Sequence, residues 1–321
     1  MPTSAKIIAA SSVTRALSVI GDRWTLLILR DAFKGAHRFE EFRTLSGAAR
    51  STLTSRLNGL VENGLLERVR YSESPPRFEY RLTDRGRSLY GVTLVIWRWE
   101  HRWGPSGAGI PSYLRHNVCG HAMKPDLTCS GCKQHIELKD TSYEVVAGSG
   151  RVKASKPRFR RLSSITVDNH RGANDAFVRT TDILGDRWMP LVLSAAFFGL
   201  RRFDEIQSGL EIATNILTHR LNTLVAHDIL KRCQYSDRPP RFEYRLTEKG
   251  RDLYPHALLL MQWGDRWLAP SGGPNLRIVH KTCGTYLGAL VTCSHCHAAI
   301  DPHDVTFPPS IARKPKTEAT S

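Results

Sequence analysis

The side chains with the most chemistry to offer are cysteines and histidines. Six of the seven cysteines fall into two triads, Cys119/Cys129/Cys132 and Cys283/Cys293/Cys296, and a histidine stands three positions ahead of each first member. The resulting strings are His116-x2-Cys119-x9-Cys129-x2-Cys132 and His280-x2-Cys283-x9-Cys293-x2-Cys296. Two residues between paired ligands let one turn present both to a single tetrahedral ion, and zinc accepts thiolate and imidazole together. A lone C-x-x-C is weak; the same four-ligand set met twice is much stronger. Read along the chain, each string closes one structural Cys3His zinc site, up to two ions in all, with no open position for hydrolysis. Redox sensing and unligated thiols are the competing readings. His121, His135, His295 and His297 are alternative fourth ligands, but none is matched between the two strings. The nine-residue spacer is shorter than in common zinc ribbons and points to a compact knuckle. Cys233 stands alone and reads as a small apolar filler.

The recurrence extends well beyond these ligands. Gly21-Asp22-Arg23-Trp24 returns as Gly185-Asp186-Arg187-Trp188, and Arg38-Phe39 as Arg202-Phe203. The run Pro75 to Thr83 reappears unchanged as Pro239 to Thr247. Every landmark, the Cys/His strings included, is displaced by the same 164 positions. The unit is too long and too varied for a solenoid repeat, so a whole domain has been duplicated without net insertion.

The elements that must position the ligands follow from pattern. Val13 to Ile20 is helical in period and breaks at Gly21, after which Asp22 can cap the next helix. Trp24 and Leu26 to Leu29 make that helix strongly apolar. Phe39, Phe42 and Leu45 recur at helical spacing, Ser46-Gly47 is a turn, and Ser51 to Glu62 is a further helix with Leu53, Leu57, Leu60 and Val61 inward. Two short helices joined by a tight turn fit a helix-turn-helix. Leu65 to Tyr71 and Phe78 to Leu82 read as strands around a turn that holds two prolines, which makes the hairpin a wing. Asp84 to Trp103 reads as one long closing helix with Leu89, Val92, Ile96, Trp99 and Trp103 along an apolar stripe, either a pairing surface or packing for its own domain. The second copy repeats each step.

The expected fold is therefore mainly α (α+β), with two winged helix-turn-helix domains, each followed by a small zinc-ribbon or knuckle-like module. The boundaries are 10–105 for the first winged domain and 112–145 for its Cys/His module. A basic flexible linker occupies 146–168. The second winged domain spans 169–270, its module 276–307, and 308–321 is a disordered tail.

Composition narrows the function classes. A formal net charge of +16 on 321 residues favours a polyanionic partner, because each Lys or Arg set on a phosphate releases counterions. No apolar run reaches the ~20 residues that span a bilayer, so no membrane association and a cytoplasmic, nucleoid-associated location are expected. No GxxxxGK[ST], HExxH, GxSxG or Rossmann string is present, and the scattered His and Ser residues form no catalytic set, so the chain does not read as an enzyme.

The sequence resembles the HxlR family of bacterial winged-helix regulators. The likeness is carried by Ile20-Gly21-Asp22-Arg23-Trp24, Arg38-Phe39-Glu40-Glu41-Phe42, Leu53-Thr54-Ser55-Arg56-Leu57, Asn63-Gly64-Leu65 and Pro75-Pro76-Arg77-Phe78-Glu79-Tyr80-Arg81-Leu82-Thr83. It covers roughly Val13 to Trp103 and Phe177 to Trp267. The resemblance implies a transcriptional regulator of double-stranded DNA, most often a repressor. Because members commonly bind as homodimers, it also implies a pseudo-dimer within one chain, with further homodimer formation open. Some members sense oxidants through a cysteine just before the first helix. The matching positions here are Ser11 and Asp175, which puts such a switch in doubt. The effector and target genes are not legible.

A helix-turn-helix lays its second helix in the major groove. The expected reading residues are Arg50, Ser51, Thr52 and Ser55, with Arg56 nearer the backbone, in copy one. In copy two they are Thr214, Asn215, Ile216 and His219, with Arg220. Arg50 suits a bidentate contact to guanine, or a phosphate, and Asn215 suits adenine. Arg77, Arg81, Arg241 and Arg245 on the wings are candidate phosphate ligands, unless cross-strand pairs with Glu79 and Glu243 occupy some of them. Unlike reading helices on like scaffolds predict an imperfect palindrome. The competing class is an RNA-binding or protein-interaction module organised by the knuckles.

Overall fold

The computed structural model describes residues 11–104, 111, 113–146, 180–181, 183–269 and 273–307. The linker and tail expectations, and Asp175, lie outside them, apart from Val146. In copy one the order is α1 (Ser12–Ile20), α2 (Arg23–Phe33), α3 (Phe39–Ser46), α4 (Arg50–Glu62), β1 (Leu66–Ser72), β2 (Arg77–Leu82), α5 (Asp84–Arg87) and α6 (Tyr90–Trp103). Then come β3 (Leu114–His116), β4 (Ala122–Met123), β5 (Pro125–Cys129) and β6 (Thr141–Val145). Copy two gives α7 (Trp188–Phe197), α8 (Phe203–Leu210), α9 (Thr214–Ala226), β7 (Leu230–Asp237), β8 (Pro240–Leu246), α10 (Glu248–Arg251) and α11 (Tyr254–Leu268). It closes with β9 (Leu276–His280), β10 (Ala289–Cys293) and β11 (Val305–Thr306).

Local chemistry sets the helix starts. The Asp22 carboxylate accepts from the amides of Trp24 and Thr25 at 3.1 and 3.2 Å, capping α2, and Asp186 does the same for Trp188 and Met189. The Glu41 carboxylate reaches back to the amides of His37 and Arg38 and fixes the entry to α3; these bonds hold its pKa below the ordinary value. Gly47, at φ 67°, ends α3 in the left-handed region and opens the tight turn. Leu53, Leu57 and Leu60 seat α4 on the core, whereas Leu45, expected inward, is exposed. The expected single closing helix is two: Thr83 caps the short α5 through Gly86, and the chain steps before α6 begins at Tyr90.

The two copies do not fold as separate beads. Helix α1 of copy one packs along α11 of copy two so closely that a Cβ on Gly264 would stand 2.3 Å from the Ser12 carbonyl oxygen. Helices α6 and α11 also meet. Trp99 Nε1 donates to the Lys249 carbonyl at 3.0 Å, and Trp263 Nε1 to the Arg85 carbonyl at 3.2 Å. Each bond is the other moved by one repeat, so the seam has a pseudo-two-fold. The apolar stripe of the closing helices is thus an intramolecular pairing surface.

The Cys/His appendages are the main correction to the sequence reading. They are not one knuckle per copy. Strand β5 pairs antiparallel with β10, its own counterpart, with Leu127 opposite Val291 at the centre of the ladder. Strand β6 of copy one pairs with β9 of copy two, and reciprocally β11 pairs with β3. The appendages form one intertwined body, tied to the closing helices by Arg98–Asp126 at 3.0 Å and by the Gln262 amide, which bonds both backbone groups of Ala289.

Candidate nucleic-acid interface and metal centre

The exposed stripe of α4 is Arg50, Ser51, Thr54, Ser55 and Asn58; on α9 it is Thr214, Asn215, Thr218, His219 and Asn222. Sequence reading missed Thr54, Asn58, Thr218 and Asn222. Extending the spacing i, i+4, i+8 from Arg50 and Thr214 would have found them. Thr52 is half-covered, and its counterpart Ile216 packs against the core, so neither belongs fully to the exposed face. Both helices start at an alanine, Ala49 and Ala213, with no side-chain cap and no acidic residue in the first turn. Their leading amides therefore remain available to an anion.

Arg56 and Arg220, expected nearer the DNA backbone, each hold an ion pair with the scaffold. Arg56 Nε lies 3.0 Å from Asp22, and Arg220 Nη2 lies 2.7 Å from Asp186. These guanidiniums tie α4 and α9 to the caps of the core helices behind them. Arg50 is held loosely, 3.8 Å from Glu40 and over the Phe39 ring at 5.3 Å, and its side chain is 78% exposed. The Thr214 hydroxyl accepts from Gln207 at 2.8 Å, which ties the start of α9 to α8. The His219 ring lies beside the Arg220 guanidinium at 2.9 Å.

On the wings, Arg81 pairs with Glu79 and Arg245 with Glu243. The pairs run along one strand, two residues apart, and not across strands as expected. Arg77 and Arg241, at the wing tips, are exposed. Arg68 stacks over Phe78 at 3.7 Å and Arg232 over Phe242 at 3.6 Å, bracing each hairpin.

All eight expected metal ligands gather into two sets, but the grouping crosses the copies. One set is His116 and Cys119 with Cys293 and Cys296; the other is Cys129 and Cys132 with His280 and Cys283. In the first, His116 Nδ1 lies 3.4 Å from Cys119 Sγ and 3.3 Å from Cys296 Sγ, with the Cys119 and Cys293 sulfurs 4.0 Å apart. In the second, His280 Nδ1 lies 3.4 Å from both Cys132 Sγ and Cys283 Sγ, and Cys129 and Cys283 are 3.9 Å apart. A tetrahedral ion with sulfur at ~2.3 Å and nitrogen at ~2.0–2.1 Å needs edges of about 3.5–3.8 Å. Both sets fit such an ion, within a few tenths of an ångström. Hydrogen bonds from the Thr285 hydroxyl and amide, then from His280, hold the Cys283 thiol down at about 6, toward the thiolate that a metal takes. Of the alternative histidines, His121 stacks on His295 at 3.7 Å and the pair lies within ligating reach of Cys119, a second use for that thiol, whereas His135 bonds Asp126 at 2.7 Å.

The reason for the crossing is the strand between the ligand pairs. Four residue steps of β5 separate Pro125 from Cys129 by roughly 13 Å. Pro125 faces Cys293 in the ladder, and Cys293 belongs with Cys119; Cys129 ends the strand at the other site. One copy's two ligand pairs therefore lie at opposite ends of the ladder.

Comparison with known proteins finds relatives of the repeated helix-turn-helix units in sequence. An HxlR-like helix-turn-helix family model matches residues 19–108 and again 183–272, together more than half of the chain. An uncharacterised HTH-type transcriptional regulator of Mycobacterium tuberculosis is 46% identical over 133 residues, which is 41% of this chain and 84% of that protein. The uncharacterised HTH-type transcriptional regulator YvaP of Bacillus subtilis is 34% identical over 96 residues, 30% of this chain and 89% of the relative. A solved structure described as a candidate transcription factor from Pseudomonas aeruginosa is 33% identical, covers 43% of this chain and 93% of its own, and superposes with a TM-score of 0.33. The chain belongs to the HxlR-like helix-turn-helix family and carries the family's domain twice.

Proposed function

We propose that the chain is a sequence-specific regulator of transcription that binds double-stranded DNA through α4 and α9 together, acting as a repressor by covering its site. The observation that carries this reading is the pair of exposed, uncapped reading helices, Arg50 to Asn58 and Thr214 to Asn222, on two copies locked about a pseudo-two-fold. Uncapped amides and Arg50 suit phosphates and base edges, and Arg77 and Arg241 suit the flanking backbone. Arg81 and Arg245 add weaker contacts because Glu79 and Glu243 share their charge. The unlike residues on the two helices suit unlike half-sites about one helical turn apart. Relatives named as HTH-type transcriptional regulators support the same class.

In this reading the two Cys3His sets hold structural zinc. Each zinc would take two ligands from copy one and two from copy two, so the metal acts as a clamp on the pseudo-dimer. His116, Cys119, Cys293 and Cys296 would hold one ion, and Cys129, Cys132, His280 and Cys283 the other.

The test is fluorescence anisotropy with duplex DNA from the gene's own upstream region, across a salt series. Nanomolar binding that weakens steeply with salt and exceeds that to unrelated duplex by a hundredfold or more supports the proposal. Equal binding to both duplexes, or tighter binding to single-stranded RNA, overturns it.

A further inference from the structure

A cavity of about 370 Å³ lies between α7 and α11 of copy two and β6 of copy one, roofed by Val13 of α1. Its size is at the lower end of small-molecule pockets, about 300–1,000 Å³. Four aromatic rings line it: Phe197, Phe198, Tyr143 and Tyr254. Phe197 meets Tyr254 edge-on at 5.4 Å, and Tyr143 meets Phe198 at 90° and 4.9 Å. Among the described residues, no Asp, Glu, Lys, Arg or His lines the cavity. The polar groups at the wall are hydroxyls. Tyr254 donates to Thr141 Oγ1 at 2.9 Å, and Thr141 in turn donates to the Leu138 carbonyl. Ser194 donates to the Pro190 carbonyl at 2.8 Å. These three hydroxyl hydrogens are thus spent, and what Tyr254, Thr141 and Ser194 still offer a guest is lone pairs; Ser142 and Tyr143 bring two further hydroxyls to the wall.

The duplication supplies an internal control. The position of Ser194 is taken in copy one by Arg30, which pairs with Asp31 at 2.7 Å, and that of Met261 by the buried Trp97. Ala257 is matched by Thr93. At three wall positions copy two carries the smaller side chain, and at one of them a neutral group stands where copy one has a charge. Drift that merely preserved a packed core would leave both copies equally filled, because a large-to-small change leaves a cavity that costs stability.

We propose that this cavity is a binding site for a small, uncharged aromatic molecule bearing one hydrogen-bond donor, such as a phenol. The rings offer edges and faces to an aromatic guest, and the lone pairs of Tyr254 and Ser194 accept its hydroxyl. An anion or cation would be left without a countercharge in an apolar wall. The site is separate from the DNA reading and stands whether or not that reading holds.

Calorimetric titration of the full chain with 2-naphthol, and with naphthalene-2-sulfonate as an anion of the same ring system, tests the assignment. The expected result is one saturable 2-naphthol site per chain, with the sulfonate at least tenfold weaker. Met261→Trp, which installs the copy-one residue, and Ala257→Leu should each weaken 2-naphthol at least tenfold while the thermal midpoint holds or rises. No saturable 2-naphthol binding below 1 mM, undiminished binding in both variants, or equal affinity for the sulfonate overturns the proposal.

Discussion

Leu127 lies directly opposite Val291, its own counterpart one repeat later, so the pseudo-two-fold of the molecule runs through this pair. Around it the β5–β10 ladder holds the two Cys3His sets at its opposite ends, each completed by both copies. The duplication has therefore made one interlocked body, and its consequences can be measured.

The crossed grouping predicts a particular metal stoichiometry. Cys119→Ser combined with Cys293→Ser damages a single set, so purified protein should retain about one zinc per chain. Cys119→Ser combined with Cys129→Ser damages both and should retain close to none. Ligand sets closed within each copy would reverse the two results. Elemental analysis against protein concentration decides between them.

Trp99 and Trp263 should be equivalent in stability because each donates one bond across the seam from a buried indole. Either Trp→Phe change leaves a carbonyl acceptor without its donor, at a cost of about 1–3 kcal/mol. Urea unfolding should show similar losses for the two variants. A loss confined to one would mean that the seam is not two-fold in energy.

Much of the winged domain was legible because its signals are local. Asp22 before an apolar helix, Gly47 after a short one and the Pro75-Pro76 turn each specify their own neighbourhood, and the fixed offset between copies exposed the duplication. The metal grouping was not legible, for a physical reason. Both copies carry the same His-x2-Cys and Cys-x2-Cys pairs, so joining them within or across copies gives the same Cys3His composition. Only the extended Pro125–Cys129 strand, which drives the two pairs apart, distinguishes the choices. The ion pair of Arg56 was not legible for a related reason: its partner Asp22 is distant in sequence, and a helical pattern does not reveal which arginine turns back to the scaffold.

Asp22 serves α2 as its cap and Arg56 as its ion partner, so Asp22→Ala should destabilise by more than a simple surface change. Loss of the cap alone costs about 1 kcal/mol. Thermal or urea unfolding should show at least that, and Asp186→Ala should behave alike through Arg220. A change within 0.5 kcal/mol in both variants would remove this role.

His256 is buried in α11, and burial pushes its pKa down to about 4. A histidine held neutral in the fold gains a proton on unfolding between about pH 4 and its ordinary value of about 6.5. Stability is then complete above pH 6.5 and falls as the pH drops toward 4, with a slope of up to about 1.4 kcal/mol per pH unit from this group. The equivalent position in copy one is Val92. His256→Val should flatten the stability profile between pH 6.5 and 4; an unchanged slope would exclude His256 as its source.

The most direct test of the central claim is selection of binding sites from random duplex DNA by the full chain, repeated with Arg50→Ala and with Asn215→Ala. The account predicts a two-part site with unlike halves, Arg50→Ala relaxing the sequence of one half and Asn215→Ala that of the other. Selection that yields no enriched sequence, or a site that neither variant alters, would contradict it.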